Sequence, residues 1–208
     1  MTPTILKRYT TLPVLLDLLK RKGLVLLDPA SWEDRNDAEI LLEYKKRRKV
    51  PKLFALCFSR GDETIHHWKS FAPGTSGCCI EFSGRMLAAA FAKHPGLRHG
   101  RVVYRKISYL ARHSIAVERI PFTKRWPYRC EEEYRAIWEG KSDAGFYEVP
   151  IDLRTITRIT ISQKMPVPVY NTIREYLREA FRDPDKHIFR STLFENRIWI
   201  DKFKAAGK

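Results

Sequence analysis

No two of the four cysteines are spaced as CxxC, and the six histidines, at 66, 67, 94, 99, 113 and 187, form no HExxH or other ligand spacing. Dithiol chemistry and a zinc site therefore have no support in the sequence. Neither GxxxxGK[ST] nor GxGxxG occurs, which removes the two common glycine-rich phosphate loops. No apolar run approaches the ~20 residues of a membrane span, and the start, Met1 to Tyr9, sets no apolar run behind its charges. The expected compartment is the cytoplasm, with no membrane partner. Cys57, Cys78, Cys79 and Cys130 are expected to be reduced core residues, the vicinal pair lying in an apolar, strand-like run. Acid is also in short supply: 24 Asp and Glu face 39 Lys and Arg, a net charge of +15 and a pI near 9.8. An excess of this size concentrates polyanions, so nucleic acid or an anionic cofactor is the natural partner. Solubility alone needs less charge in a chain this long.

What is present suits one globular domain spanning 1–208, with 44% hydrophobic and 12% aromatic residues to build a core. Hydrophobic spacing predicts strands at 4–9, 24–27, 52–59, 77–82, 101–104, 145–149, 153–161 and 192–200. It predicts helices at 12–22 with Gly23 as C-terminal cap, and at 38–49, 85–93, 107–119 and 169–181. Pro29 to Asp37 reads as a loop in which Asn36-Asp37 makes an Asx turn, with a site-closing role second. His66 and His67 read as partly exposed helix residues. Strands outnumber β-α-β alternations, so the fold class expected is α+β, a mainly antiparallel or mixed sheet with flanking helices.

One stretch stands apart: Trp126-Pro-Tyr-Arg-Cys130-Glu131-Glu132-Glu133-Tyr134-Arg135 sets three acids among arginines and aromatics. A strand over 130–138 would place Glu131, Glu133 and Arg135 on one face by period-two alternation. Two carboxylates so close repel unless arginines or a substrate compensate them. A solvated edge strand paired to Arg129 and Arg135 explains the same residues.

Six motifs in order resemble the bacterial DUF2971 family. They are Lys7-Arg8-Tyr9, the loop Trp32 to Asp37, Cys57-Phe58-Ser59, Trp68 with Phe71, Gly77 to Phe82, and Val102 to Tyr104 leading to Trp126 and Glu131 to Arg135. The chain departs from the family at Ala38-Glu39, where Pro-Phe is usual, and at His67 and Phe71. The order of parts is also similar to that of ADP-ribosyltransferases, which hold NAD in a split-sheet cleft and carry a catalytic Glu-x-Glu.

That resemblance implies Glu133 as the carboxylate stabilising an oxocarbenium-like transition state and Glu131 as the group that orients or deprotonates the acceptor, or the reverse. It implies NAD contacts from Arg8, Tyr9, Ser59, Trp68 and Arg135, with no metal. Taken singly, Tyr9 and Trp68 read as core aromatics and Ser59 as a turn cap. The activity implied is that of a toxin or phage-defence enzyme acting on a nucleic acid or protein; the toxin reading leaves room for an antitoxin partner. Phosphates would lie on the run Lys45, Lys46, Arg47, Arg48 and Lys49, otherwise a solvated helix end, and on Lys20 to Lys22, Arg98 to Arg105 and Arg119 to Arg129. Two rivals remain: a non-catalytic nucleic-acid-binding protein, and a metal-dependent nuclease using Asp37, Glu81, Glu131 and Glu133.

Overall fold

Thr11 ends the first strand and starts the first helix with no loop between them, and this abrupt change of direction sets the edge of the site. The structure, a computed structural model, describes residues 3–205. Strand β1 (Ile5–Thr11) runs into helix α1 (Leu12–Arg21), which buries Leu12, Leu15 and Leu18 and has Pro13 in its first turn, where a missing N–H costs nothing. Lys22 closes the helix in the left-handed conformation at φ 53°, so Gly23 is not the cap expected from the sequence; it opens β2 (Gly23–Leu27). Helix α2 (Arg35–Arg48) begins three residues earlier than its apolar pattern, because the Asp34 carboxylate accepts from the N–H groups of Asn36 and Asp37. The Asx-type cap therefore belongs to Asp34, and Asp37 lies inside the helix.

Strand β3 (Lys52–Ser59), helix α3 (Ile65–Phe71), strand β4 (Gly77–Ser83), helix α4 (Gly84–Phe91) and strand β5 (Leu97–Arg101) follow. After β6 (Val103–Arg105), the helix expected at 107–119 shrinks to α5 (Ile107–Leu110). Ile115 and Val117 are β-branched, residues 113–116 are irregular, and a 3-10 turn at Val117–Phe122 containing Pro121 takes over from Val117. The strand expected at 130–138 is also shorter. After β7 (Thr123–Arg125), Trp126–Glu131 forms a 3-10 turn with Pro127 in its first turn, and Glu132 is left-handed at φ 42°. Only then does β8 (Glu133–Gly140) begin, and Cys130 is exposed rather than part of the core.

Strands β9 (Phe146–Pro150) and β10 (Ile156–Ile161), helix α6 (Val167–Phe181) and β11 (Ile188–Arg190) come next. The last segment is helix α7 (Arg197–Ala205), not the strand expected at 192–200; its Ile198, Trp199 and Phe203 follow helical spacing and are exposed. No helix among the described residues is long and apolar enough to cross a membrane.

The fold is α+β, with a nine-stranded mixed sheet in the order β11-β10-β4-β1-β3-β2-β9 and with β8 pairing both β3 and β5. Strands β6 and β7 form a separate parallel pair. Pairing is unequal along the sheet. β1 is in register with β4 from Ile5↔Ser83 to Thr11↔Gly77, and β3 with β8 from Lys52↔Gly140 to Ser59↔Glu133. Among the described residues β1 meets β3 only at Lys7↔Ser59, and β2 meets β3 only at Leu27↔Ala55. The sheet splits beyond Lys7, and a cleft opens between β1 and β3.

Three apolar clusters hold these pieces. The largest includes Leu15, Leu26, Phe54, Phe58, Phe82 and Trp138; a second, of Leu41, Tyr44, Leu53, Ala55, Phe122 and Ile137, lies under the cleft; Tyr9, Trp68, Ala72 and Cys79 make the third. Leu26 is fully buried in the main cluster. Leu26→Ala is expected to lower stability by about 2–5 kcal/mol, read as a lower urea midpoint with an unchanged slope.

Candidate active site

The split encloses a cleft of about 390 Å³. Lys7, Arg8 and Tyr9 of β1 form one wall and Ala55 to Ser59 of β3 the other; Asp34 and Asp37 approach from α2, and Lys124, Glu131 and Glu133 complete it. Antiparallel register explains the chemistry of one wall. Ser59↔Glu133 and Cys57↔Arg135 are directly opposed, so all four side chains leave the sheet on the same face.

Arg135 is the deepest charge, with 0% exposure. Its Nε donates to Glu133 Oε1 at 2.6 Å, and its Nη1 and Nη2 donate to the two oxygens of Asp37 at 3.1 and 2.6 Å. Nη1 also reaches the carbonyl of Pro121 at 3.0 Å, and the ring of Trp32 lies 5.2 Å from Cζ. Lys124 Nζ, from β7, is 2.8 Å from Glu131, 3.5 Å from Glu133, 3.6 Å from Asp37 and 3.7 Å from Asp34. Four carboxylates thus share two cations, and formal charge is negative here within a strongly basic chain.

Burial works against charge at every one of these groups, and the balance between burial and the neighbouring charges differs from one to the next. At Glu133, burial is outweighed by Arg135 and Lys124, which hold the carboxyl down to about 2. At Glu131, burial, together with the charges of Glu133 and Asp37, outweighs Lys124 and raises the carboxyl above its usual range. Burial likewise lifts the Cys57 thiol well up, with Glu133 adding to the shift, so Cys57 is no thiolate nucleophile. Two carboxylates sharing one lysine are thereby given opposite acidities.

Glu131 is not on the strand with Glu133. It ends the 3-10 turn, and left-handed Glu132 turns the chain so that both acids still reach Lys124. Tyr104 Oη accepts from the Glu133 N–H at 2.8 Å, which fixes the start of β8. His67 holds the other side: its Nε2 lies 3.2 Å from the Glu131 carbonyl, and its Nδ1 is 2.7 Å from Thr64 Oγ1. A carbonyl only accepts, so Nε2 carries the proton and Nδ1 accepts from the threonine hydroxyl. Burial lowers the ring's basicity, and His67 is a buried positioning residue, not the partly exposed helix residue expected.

The other expected site residues divide. Arg8 lines the cleft half-buried, with no ion-pair or hydrogen-bond partner among the described residues, and burial lowers its guanidinium to about 10. Tyr9 lines the cleft and stacks on His67 at 4.8 Å. Ser59 Oγ faces the cleft but accepts from the Gly61 N–H at 3.1 Å, the turn-capping role. Trp68 lies behind Tyr9, edge-on at 5.7 Å, and donates its Nε1–H to Glu63; it does not line the cleft. Arg135 sits beneath the carboxylates and is likewise no lining residue.

Lys45, Lys46, Arg47, Arg48 and Lys49 end α2 away from the cleft, Arg47 pairing with Glu43 at 2.8 Å and Arg48 with Glu118 at 3.9 Å. Glu81 is on β4, opposite Lys7, and does not join Asp37, Glu131 and Glu133 in the cleft lining. Sequence reasoning placed Lys124 only within the run of phosphate contacts at Arg119 to Arg129, and read Asp37 first as part of an Asx turn, with a site-closing role second. A single lysine in a basic segment carries no pattern, whereas the i, i+3 spacing of Asp34 and Asp37 at a helix start was a usable signal.

No family model and no curated protein matches the chain. Solved structures that overlap it include DarT from Thermus sp. 2.9 in complex with ADP-ribosylated ssDNA, at 12% identity and TM-score 0.47, covering 92% of this chain and 98% of that chain. The same protein in complex with NAD+ overlaps at 12% identity and TM-score 0.46, covering 91% and 96%. Overlaps this loose carry no functional argument, and the resemblance to DUF2971 stays a resemblance.

Removing the Arg135 charge strands Asp37 and Glu133 in the interior. Arg135→Met is expected to cost about 3–5 kcal/mol in denaturant unfolding, with part recovered by adding Asp37→Asn. The lowered pKa of Glu133 has its own signature. Because its folded value near 2 lies below the unfolded value of about 4.3, the unfolded chain binds more protons between them. The stabilisation from this pair is complete above about pH 4.3 and is lost as pH falls toward 2. Glu133→Gln should flatten the stability profile across that window.

Proposed function

We propose that the protein is an NAD-dependent ADP-ribosyltransferase, acting as a toxin or phage-defence effector on a nucleic-acid or protein acceptor. The observation that carries this reading is the opposite displacement of Glu131 and Glu133 around Lys124 in one cleft. Breaking the nicotinamide–ribose bond sends its electron pair to the leaving ring and leaves positive charge on the sugar. Glu133, ionised at any working pH and held by Arg135, is suited to stabilise that charge. Glu131, whose carboxyl is raised above its usual range and is therefore the better base, is suited to take the proton that the acceptor loses as its lone pair bonds to the anomeric carbon. Half-buried and with no ion-pair or hydrogen-bond partner among the described residues, Arg8 is the group for a pyrophosphate, and Tyr9 with Phe71 and Trp32 offers ring faces for nicotinamide or adenine.

A nuclease reading is disfavoured by the same geometry, since Lys124 and Arg135 already sit where a metal would have to neutralise the carboxylates. The test is incubation of wild type, Glu133→Gln and Glu131→Gln with labelled NAD and total RNA, DNA and cell protein. Label on one macromolecule, reduced about 10²–10³-fold by Glu133→Gln, is the expected result. In wild type the acid limb of the rate should lie above the ordinary glutamate value of about 4.3, and it should disappear in Glu131→Gln. Equal labelling by Glu133→Gln overturns the proposal. No labelling, with salt-dependent nucleic-acid binding retained, moves the function to a binding protein.

A further inference from the structure

The positive charge of the chain is not spread evenly. Residues 97–130 carry nine Lys and Arg against one acid, Glu118, so a net +8 of the total +15 falls in 34 residues. Glu118 is turned toward Arg48 at 3.9 Å. Arg105, Lys106, Arg112 and Arg129 form no ion pair among the described residues. These cations are interleaved with aromatic rings around a groove of about 350 Å³ lined by Tyr104, Tyr109 and Trp126. Arg105 Cζ lies 4.5 Å from the centre of the Tyr109 ring, and Arg129 Cζ and Lys106 Nζ lie 5.0 and 5.7 Å from that of Trp126. Trp126 is nonetheless 40% exposed, and His113 stacks on Tyr109 at 4.2 Å.

We infer that this groove is a binding site for single-stranded nucleic acid, holding a nucleotide that flanks the reacting one. Rings and guanidinium planes at this spacing stack an unpaired base, while the free cations meet its phosphates; a base still stacked within a duplex presents no face to them. The groove is also joined to the carboxylates. Tyr104 lines the groove while its hydroxyl binds the Glu133 N–H, and β7 sends Lys124 into the cleft two residues before Trp126 enters the groove. The parallel pair β6–β7 sets Tyr104 and Lys124 in register, so one short ribbon serves both places. The flanking role rests on the transferase reading, whereas binding itself does not, and the experiment separates them.

Fluorescence anisotropy without NAD compares labelled single-stranded DNA and RNA oligonucleotides with duplexes of the same sequence. Single strands should bind more tightly than duplex. Trp126→Ala should weaken the single strand about tenfold with an unchanged unfolding midpoint, and Trp126→Phe should restore most of the loss. Arg112→Ala should lower the slope of affinity against salt by about one unit. Replacing Lys46, Arg47 and Lys49 by Ala should change binding less than Trp126→Ala does. Equal affinity for duplex and single strand, or wild-type binding by both Trp126→Ala and Arg112→Ala, overturns the inference. A protein that binds single strands in this way yet transfers no label removes the transferase reading and leaves the groove standing.

Discussion

A guanidinium with no exposure to water has to be neutralised on all sides, and Arg135 therefore dictates how much of this protein is assembled. Its fork requires Asp37, which fixes the first turn of α2 against β8, and its Nε requires Glu133, which fixes the rotamer of the carboxylate at the cleft. The carbonyl of Pro121 takes a further N–H and ties down the turn that follows α5. The small cluster of Leu41, Tyr44 and Phe122 then packs over Ile137 on the same strand face. Tertiary position and electrostatics share one source, because the cation that docks the helix also sets the acidity of Glu133.

Charge is segregated in this chain rather than mixed. The cleft is an acidic nest served by two cations, and its neighbouring lobe is a nearly pure cationic surface. Such an arrangement draws a polyanion to the lobe by long-range attraction while the cleft keeps a local negative charge. The acids also limit how close a phosphate can come to the carboxylates, which favours approach of a base or sugar rather than a backbone phosphate. On the far wall, Lys7 and Arg8 are cations with no ion pair to a carboxylate among the described residues.

The sequence revealed the α+β class, most element positions and the Glu131–Glu133 pair. The pair was legible for a partly wrong reason: alternation assumed one continuous strand, whereas a 3-10 turn and left-handed Glu132 bring the two acids together by another route. Arg135 was legible as important but not in its role, because alternation gives a face and not a depth, and full burial turned an expected ligand contact into a structural pair. Trp68 slipped one layer back for the same reason. Lys124 and His67 were hidden because their partners are distant in sequence or are backbone atoms, and no spacing records such contacts. The helix at 107–119 and the strand at 192–200 failed where short apolar patterns fit two periods, and β-branched residues and helical spacing respectively decided between them.

The separation of β1 from β3 beyond Lys7 and Ser59 leaves the flank of β1 that faces away from β4 without a strand partner among the described residues. Main-chain donors and acceptors along that flank are therefore on offer to whatever enters, as at any open sheet edge, but here the edge faces β3 across the cleft. Recognition through such groups is indifferent to side-chain identity. A main-chain contact on this wall would survive substitution of its side chains, provided the strands still part at the same rung, whereas contacts made by the Arg8 and Tyr9 side chains would not.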